Sequence, residues 1–365
     1  MHEVQRVPHR AERYERPTDL AEALELLAEH RSAARVLAGG TDLLLEMQRR
    51  VRTDFDILVD ITGIAGLNTI KAGDGAIHIG PLVTHNQAVA SPGVVNGALP
   101  LAQACWEVGS PQLRNRSTIA GNVVTASPAN DTISALWALD ATVELSSMRG
   151  FRQVPIREFY TGVRHTVMEP DELLTSIVVP TIADDADGIF VKLGLRRAQA
   201  ISVVHAALVV ERDEQGVVSA ASIALGSVAP TIVSAPDAEA ALVGQPLTEE
   251  SIAAAAAAAA AGVTPIDDLR ATAAYRSEGV EIVVARGLAA LAAGASRSQW
   301  PDTPVLLGPE GGLLGGGGAV ETLHSGDTIA MRVNGDSISG DTRPDETLLD
   351  WLRDQGLTGS KEGCA

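Results

Sequence analysis

Residues 111–136, PQLRNRSTIAGNVVTASPANDTISAL, gather a glycine, short hydroxyls, side-chain amides and one acid into a stretch that ends in a helical run. Backbone N–H groups at Ala120, Gly121 and Asn122 are little obstructed by side chains. Thr118, Thr125, Ser127 and Asn130 add short hydrogen-bonding groups, and Asp131 precedes TISALWAL, where an acid caps a helix or accepts from a ribose hydroxyl. Such a stretch reads as a nucleotide-cradling loop, although Asn, Ser and Pro also build ordinary turns. About eighty residues earlier, AGGTD at residues 38–42 joins the apolar run ARVL to the helical run LLLEMQ. There Gly39 and Gly40 permit unusual dihedrals and close backbone approach. Thr41 and Asp42 are expected to cap, and the helix start offers roughly half a positive charge to an anion.

The elements that must position these loops follow from periodicity and punctuation. RPTDLAEALELLA, residues 16–28, predicts a helix capped at Thr18 or Asp19 with Leu20, Ala23, Leu24 and Leu27 on its apolar face. ILVDI at 57–61 reads as a buried strand, and residues 67–70 and 76–79 as a hairpin turning at Gly73–Gly75. Thr84 caps HNQAVA, and a further helix over 100–108 places Cys105 in the core. Strands at 142–145 and 172–179 complete a mixed α+β domain. After the acidic turn IADDADG come three strands, over 189–195, 203–211 and 220–225, and two helices, over 248–261 and 275–293. They predict a second sheet with helices on one side. Residues 296–322, rich in glycine, read as a flexible linker. A small last unit follows, with a strand over 328–333, a turn at Asn334 and Gly335 and a helix over 347–355.

Composition narrows the function. A chain of 365 residues holds two or three domains, and an aromatic share of only 3% predicts aliphatic cores. The net charge of −18 argues against a nucleic-acid partner. No apolar run is long enough for a membrane span. Two cysteines, Cys105 and Cys364, make no disulfide framework, and with no signal-like start the expected setting is cytoplasmic. The eight histidines show no paired metal spacing, no Walker motif occurs, and no acid/base pair stands out.

AGGTD and STIAGNVVTASPAND together, with GSPQLRNRSTIAGN, ELLTSIVVP and KLGLRRAQAIS, resemble the flavoprotein subunits of the molybdenum hydroxylases over nearly the whole chain. That family includes xanthine dehydrogenases and the medium subunit of aerobic carbon monoxide dehydrogenase. The resemblance implies a two-subdomain FAD-binding fold of the vanillyl-alcohol-oxidase / p-cresol-methylhydroxylase type over 1–182, split near residue 62. An α+β C-terminal flavoprotein domain over 183–295 follows, then the linker 296–322. It further implies that Leu37, Ala38, Gly39, Gly40, Thr41, Asp42 and Leu43 wrap the pyrophosphate and ribityl region. Thr118, Gly121, Asn122, Val124 and Thr125 would continue the cradle, Ser127 and Asp131 would reach the adenosine side, and Leu174 and Lys192 would border the flavin. Two departures stand out: Ala120 replaces the first of a usual glycine pair, which requires ordinary dihedrals there, and Ile201 falls where some relatives carry an aromatic ring.

Residues 323–365, with VNG, LLDWLRDQG and KEGC, resemble the start of a plant-type [2Fe-2S] domain, a partial β-grasp ferredoxin-like unit. Cys364 would be its first ligand, and only a longer form of the chain could hold the cluster, which needs four. The implied function is an FAD-dependent oxidoreductase subunit. It would pass electrons from iron–sulfur centres through FAD to NAD+ or another acceptor, beside a large subunit carrying the molybdenum cofactor, in a xanthine dehydrogenase-like system. A non-catalytic assembly module that kept the fold, and a free-standing flavin oxidase, are the competing readings.

Overall fold

The computed structural model describes residues 11–298, 300–308, 312, 314–315 and 321–361, so Cys364 lies outside the described residues. Packing divides the chain into two compact units, Met1–Ala65 with Pro170–Leu173 and Gly315–Ala365, and Gly66–Glu169 with Leu174–Leu314.

In the first unit a four-stranded sheet runs in the order Glu321–His324, Arg13–Arg16, Ile57–Asp60, Ala34–Leu37. The last three are parallel, joined through the helices Leu20–His30 and Leu43–Gln48, whereas Glu321–His324 pairs antiparallel with Arg13–Arg16. Ala11, Met47, Phe55 and Leu58 form a core cluster of this unit. Asp19 caps the first helix by accepting from the Glu22 N–H at 2.9 Å. The Arg13–Arg16 strand is hidden in the sequence by its charge: RYER has one buried position, Glu15, whose carboxylate accepts from Thr322 Oγ1 at 2.7 Å. A hairpin of Thr328–Val333 and Asp336–Asp341 turns, as expected, at Asn334 (φ 55°) and Gly335 (φ 97°), the left-handed pair that a two-residue hairpin turn needs. The helix Leu348–Asp354 follows, capped by Thr347 and burying Trp351.

Besides the two-stranded pair Tyr160–Gly162 and His165–Thr166, the second unit contains two larger sheets. One has the order Ile70–Gly73, Ala76–Ile79, Leu173–Pro180, Thr142–Ser147, Gly150–Pro155. The other is the antiparallel run Ala186–Gly194, Ser202–Arg212, Val218–Gly226, Val233–Ser234. Its cores are aliphatic, as the composition predicts, and Cys105 is fully buried. Helices were expected on one side of the second sheet only. Instead Ile189, Ala206, Leu208, Ile223 and Leu225 pack with the helices Glu249–Ala261 and Ala273–Ala292. The alternate residues Phe190, Ala207 and Ala224 join the core of Leu99–Glu107 and Asp131–Ala138. A strand buried on both faces is expected to be apolar nearly throughout, which explains the run VVHAALVV, broken only by the buried His205.

The glycine-rich stretch also departs from expectation. Its described residues 296–298 and 300–308 run along the second unit: Gln103 Nε2 donates to the Ser296 carbonyl at 2.8 Å, and Asn86 Nδ2 to that of Leu306 at 2.7 Å. Trp300 packs 6.3 Å from Trp106. Backbone carbonyls there are met by side-chain amides, a recognition that composition does not reveal.

Arg276, on the Ala273–Ala292 helix, fixes the start of the Ser202–Arg212 strand. It is 1% exposed and donates to the carbonyls of Val203 and Ser227 at 2.7 and 2.8 Å, and to Asp268 at 2.6 Å. Arg276→Met is expected to leave two buried carbonyls unpaired, at about 1–3 kcal/mol each. A lower urea midpoint with an unchanged m-value would show this.

Candidate functional site

Strand, glycine turn and helix occur where the sequence placed them in the first unit. Ala34–Leu37 leads through Ala38, Gly39 and Gly40 into Thr41, Asp42 and the helix that opens at Leu43. Gly40 has φ +77°, and a Cβ there would lie 3.2 Å from the Leu37 and Leu44 side chains. Capping differs from expectation. Asp42 occupies the cap position but makes no capping hydrogen bond, because its backbone is already helical (φ −98°, ψ −49°) rather than extended. The Leu44 N–H of the first turn donates instead to the Gly40 carbonyl at 3.1 Å.

In the second unit the expected loop is a short helix, Ile119–Thr125, followed by a left-handed Ala126. The structure brings Thr118, Gly121, Asn122, Val124 and Thr125 onto this one element. Thr118 caps it, accepting from the Gly121 N–H through its hydroxyl at 3.0 Å and from the Asn122 N–H through its carbonyl at 3.0 Å. Two of the three N–H groups read from the sequence as open are thus used by the helix itself. Ala120 is helical and buried, so the methyl group in place of the usual glycine is accommodated. A Cβ on Gly121 would lie 2.9 Å from Thr118 Oγ1 and displace the cap. Thr125 Oγ1 donates to the Gly121 carbonyl at 2.8 Å, Asn122 Oδ1 accepts from Thr132 Oγ1 at 2.5 Å, and Ser127 Oγ accepts from the Ala129 N–H. Val124 is 41% exposed, whereas Leu174 is fully packed in the core.

Asp131 and Lys192, sixty-one residues apart, are brought directly together. Asp131 does not cap its helix; its Oδ2 accepts from Lys192 Nζ at 2.6 Å and its Oδ1 from Ser202 Oγ at 2.6 Å. Both side chains are 6% exposed, so Lys192 is a buried partner and not the solvated charge that an isolated lysine usually is. Lys192 also donates to the Glu107 carbonyl at 3.0 Å. Burial lifts the Asp131 carboxyl above its ordinary range, against the opposing Lys192 ammonium and Ser202 hydroxyl. Sequence reading passed over Ser202 and took His205, like the other histidines, as structural or surface. His205 is fully buried with Nδ1 3.6 Å from Asp131 Oδ1, and neither ring nitrogen has a hydrogen-bond partner. Burial, helped by the Lys192 charge, pushes its imidazole down to about 3, so it is neutral at pH 7. Among the described residues no cluster of His, Cys, Asp or Glu could hold a metal ion.

These residues fit a dinucleotide. A Cβ at Gly40 or Gly121 would press on neighbouring side chains, short hydroxyls stand beside Gly121, and Asp131, the acid closest in sequence to that helix, is already paired with a lysine, which removes a charge that would repel pyrophosphate. Comparison with known proteins decides the family. Residues 9–182 match the model of the FAD binding domain in molybdopterin dehydrogenase, and residues 190–291 that of the CO dehydrogenase flavoprotein C-terminal domain. The nicotinate dehydrogenase FAD-subunit of Eubacterium barkeri is 35% identical over 269 residues, 73% of this chain and 90% of that one. The carbon monoxide dehydrogenase medium chain of Hydrogenophaga pseudoflava is 34% identical over 283 residues, 77% and 97%. The chain belongs to the FAD-binding subunits of the molybdenum hydroxylase family. The solved carbon monoxide dehydrogenase of Hydrogenophaga pseudoflava superposes with a TM-score of 0.74 over 80% of this chain and 99% of that one, at 34% identity. The protein is therefore an FAD-dependent oxidoreductase subunit of α+β fold. Among the described residues, no helix is long and apolar enough to cross a membrane.

Two predictions follow from the buried cluster. Lys192→Met should cost about 3–5 kcal/mol by stranding a buried carboxylate, and the double variant Lys192→Met/Asp131→Leu should recover most of it in a double-mutant cycle. His205 titrates near 3 in the fold and near 6.5 when unfolded, so the unfolded chain binds the extra proton across that window and acid destabilises the fold. Between pH 6.5 and 3 this residue alone accounts for up to about 1.4 kcal/mol per pH unit. Urea titrations of His205→Phe at pH 7 and pH 5 should show a correspondingly smaller loss than the unmodified chain.

Proposed function

We propose that this subunit carries electrons within a molybdenum hydroxylase, from iron–sulfur centres through its FAD to NAD+ or another acceptor. A large subunit holding the molybdenum cofactor would be the partner at which substrate is oxidised. Support comes from relatives named as a nicotinate dehydrogenase FAD-subunit and a carbon monoxide dehydrogenase medium chain. The first of these favours an N-heterocyclic substrate, the class that also contains the purine of a xanthine dehydrogenase-like system. When bound, FAD supplies the two-electron chemistry, and the protein supplies position and electrostatics.

The observation that carries the site reading is the Thr118-capped helix, in which Gly121 leaves room beside the cap hydroxyl. Around it Thr118, Asn122, Val124, Thr125 and Ser127 would border the cofactor, and the family resemblance assigns its pyrophosphate and ribityl region to Leu37, Ala38, Gly39, Gly40, Thr41, Asp42 and Leu43. Asp131 and Lys192 act in this reading as a neutral pair that orients the helix start, rather than as a free acid on a ribose and a free cation beside the flavin. Leu174 would shape the apolar wall from the core side. For residues 323–365, the hairpin and capped helix support the ferredoxin-like reading, with Cys364 as a first cluster ligand once three further thiolates are supplied.

Purified protein should be yellow and release about one FAD per chain on denaturation. Gly121→Val should lose FAD while keeping its far-UV circular dichroism; unchanged FAD content would place the cofactor elsewhere. Anaerobic NADH should bleach the bound flavin if NAD+ is the acceptor, and a flavin that stays oxidised would assign another acceptor.

A further inference from the structure

Residues 296–298 and 300–308 follow the last family match, which ends at residue 291, yet side chains inside the FAD-binding match at 9–182 reach out to them. Asn86 Nδ2 donates to the Leu306 carbonyl at 2.7 Å, and Asn115 Nδ2 to the carbonyls of Leu306 and Leu307 at 3.0 and 3.1 Å. The two amides also bond each other, Asn86 Nδ2 to Asn115 Oδ1 at 2.8 Å, and both are more than nine-tenths buried. Behind them stands Arg114, 4% exposed, donating to Asn86 Oδ1 at 3.0 Å and to the Trp106 carbonyl at 2.8 Å, with its guanidinium 4.6 Å from the centre of the Trp106 ring. Trp300 packs against that same ring. Gly308 runs so close that a Cβ would lie 2.5 Å from Asn115 Oδ1.

Without this segment Asn115 Nδ2 would lose both of its carbonyl acceptors, Leu306 and Leu307, and a buried donor left unpaired costs about 1–3 kcal/mol, whereas Asn86 Nδ2 would keep the Pro111 carbonyl at 2.9 Å and Asn115 Oδ1. The amides flank the chain pairing that holds Thr118. His85, next to Asn86, bonds Ser117 through its backbone N–H at 3.1 Å and through Nδ1 at 2.8 Å. Thr84 bridges to Thr118, and the Ile119 N–H donates to the Val83 carbonyl at 3.1 Å. Asn115 lies three residues before the cap. A displacement of either amide is therefore passed to Thr118 through one or two hydrogen bonds.

We propose that residues 296–298 and 300–308 form a docked strap that seats the Thr118 helix cap, so that strap docking and flavin binding strengthen each other. This rests on the reading that the Thr118 helix borders FAD. The docked and released strap are the two states, and FAD favours the docked one because only there is the cap held in place. Thermodynamic reciprocity then requires the strap to raise FAD affinity by the same factor by which FAD favours docking.

The test uses the full chain and two strap variants outside the family-matched region, Gly308→Val, which collides with Asn115, and Trp300→Ala/Leu306→Ser, which removes the strap's apolar contacts. Tryptic cleavage after Arg297 reads strap release, with opening fast relative to cutting, and titration of the apoprotein reads FAD affinity. FAD should slow cleavage of the unmodified chain about tenfold. Both variants should be cut rapidly with or without FAD and bind FAD about tenfold more weakly, matching a coupling of ordinary size. Cleavage of the unmodified chain as fast as that of the variants overturns the docking, and unchanged FAD affinity in rapidly cut variants overturns the coupling. Gly121→Val separates these failures from that of the site reading: if it retains full FAD affinity, the placement of the cofactor falls and this inference with it. If it loses FAD while the strap variants keep theirs, the coupling alone is wrong.

Discussion

The buried ion pair of Asp131 and Lys192 is the contact on which the larger unit turns. Asp131 belongs to the stretch matched by the FAD-binding model, Lys192 and Ser202 to that matched by the C-terminal flavoprotein model, and the three meet within 2.6 Å inside one compact unit. Removing a carboxylate and an ammonium from water costs several kcal/mol each, and their attraction offsets this only if the remaining lone pairs and protons are satisfied. Here Ser202 and the Glu107 carbonyl satisfy them. These bonds tie the start of the Asp131–Ala138 helix to the Ala186–Gly194 and Ser202–Arg212 strands.

The same pair sets the electrostatics beside the Ile119–Thr125 helix. An acidic protein of net charge −18 that binds an anionic dinucleotide must keep carboxylate charge away from the pyrophosphate. Asp131 is the acid closest in sequence to the capped helix, and Lys192 cancels it. His205 adds no charge, since burial keeps its ring neutral and Lys192 opposes its protonation. The neutrality of this region thus depends on groups from a helix and two strands, held there by Arg276 and its carbonyl partners.

What was legible in the sequence was local. Glycine turns, caps such as Thr84 and Thr248, the Asn334–Gly335 hairpin and the long helices all depend on neighbours within a few residues, and they stand close to where the sequence placed them. The partnership of Asp131 with Lys192 spans sixty-one residues and passed unseen, because one acid and one lysine at that distance carry no pattern. Asp42 looked like a cap by type, yet its backbone dihedrals deny it the role. The Arg13–Arg16 strand was concealed for a different reason. It is flanked on both sides by other strands and buries mostly backbone, so its side chains stayed charged.

The segment after residue 295 shows the limit most plainly. The glycines that read as flexibility cluster from Gly308 onward, whereas the docked residues before them carry Trp300 and Leu306, which pack against the core. The domain it crosses also recognises it through amide hydrogens placed on backbone carbonyls that every residue possesses. Recognition of that kind leaves the strap's own sequence largely unconstrained, apart from a glycine where Asn115 comes too close for a Cβ and an aromatic residue over Trp106. The information for docking therefore resides in Asn86, Arg114 and Asn115, in the same short stretch that leads into Thr118. Residues that select the strap and residues that shape the flavin loop are neighbours along the chain, which is why the two bindings share a physical path.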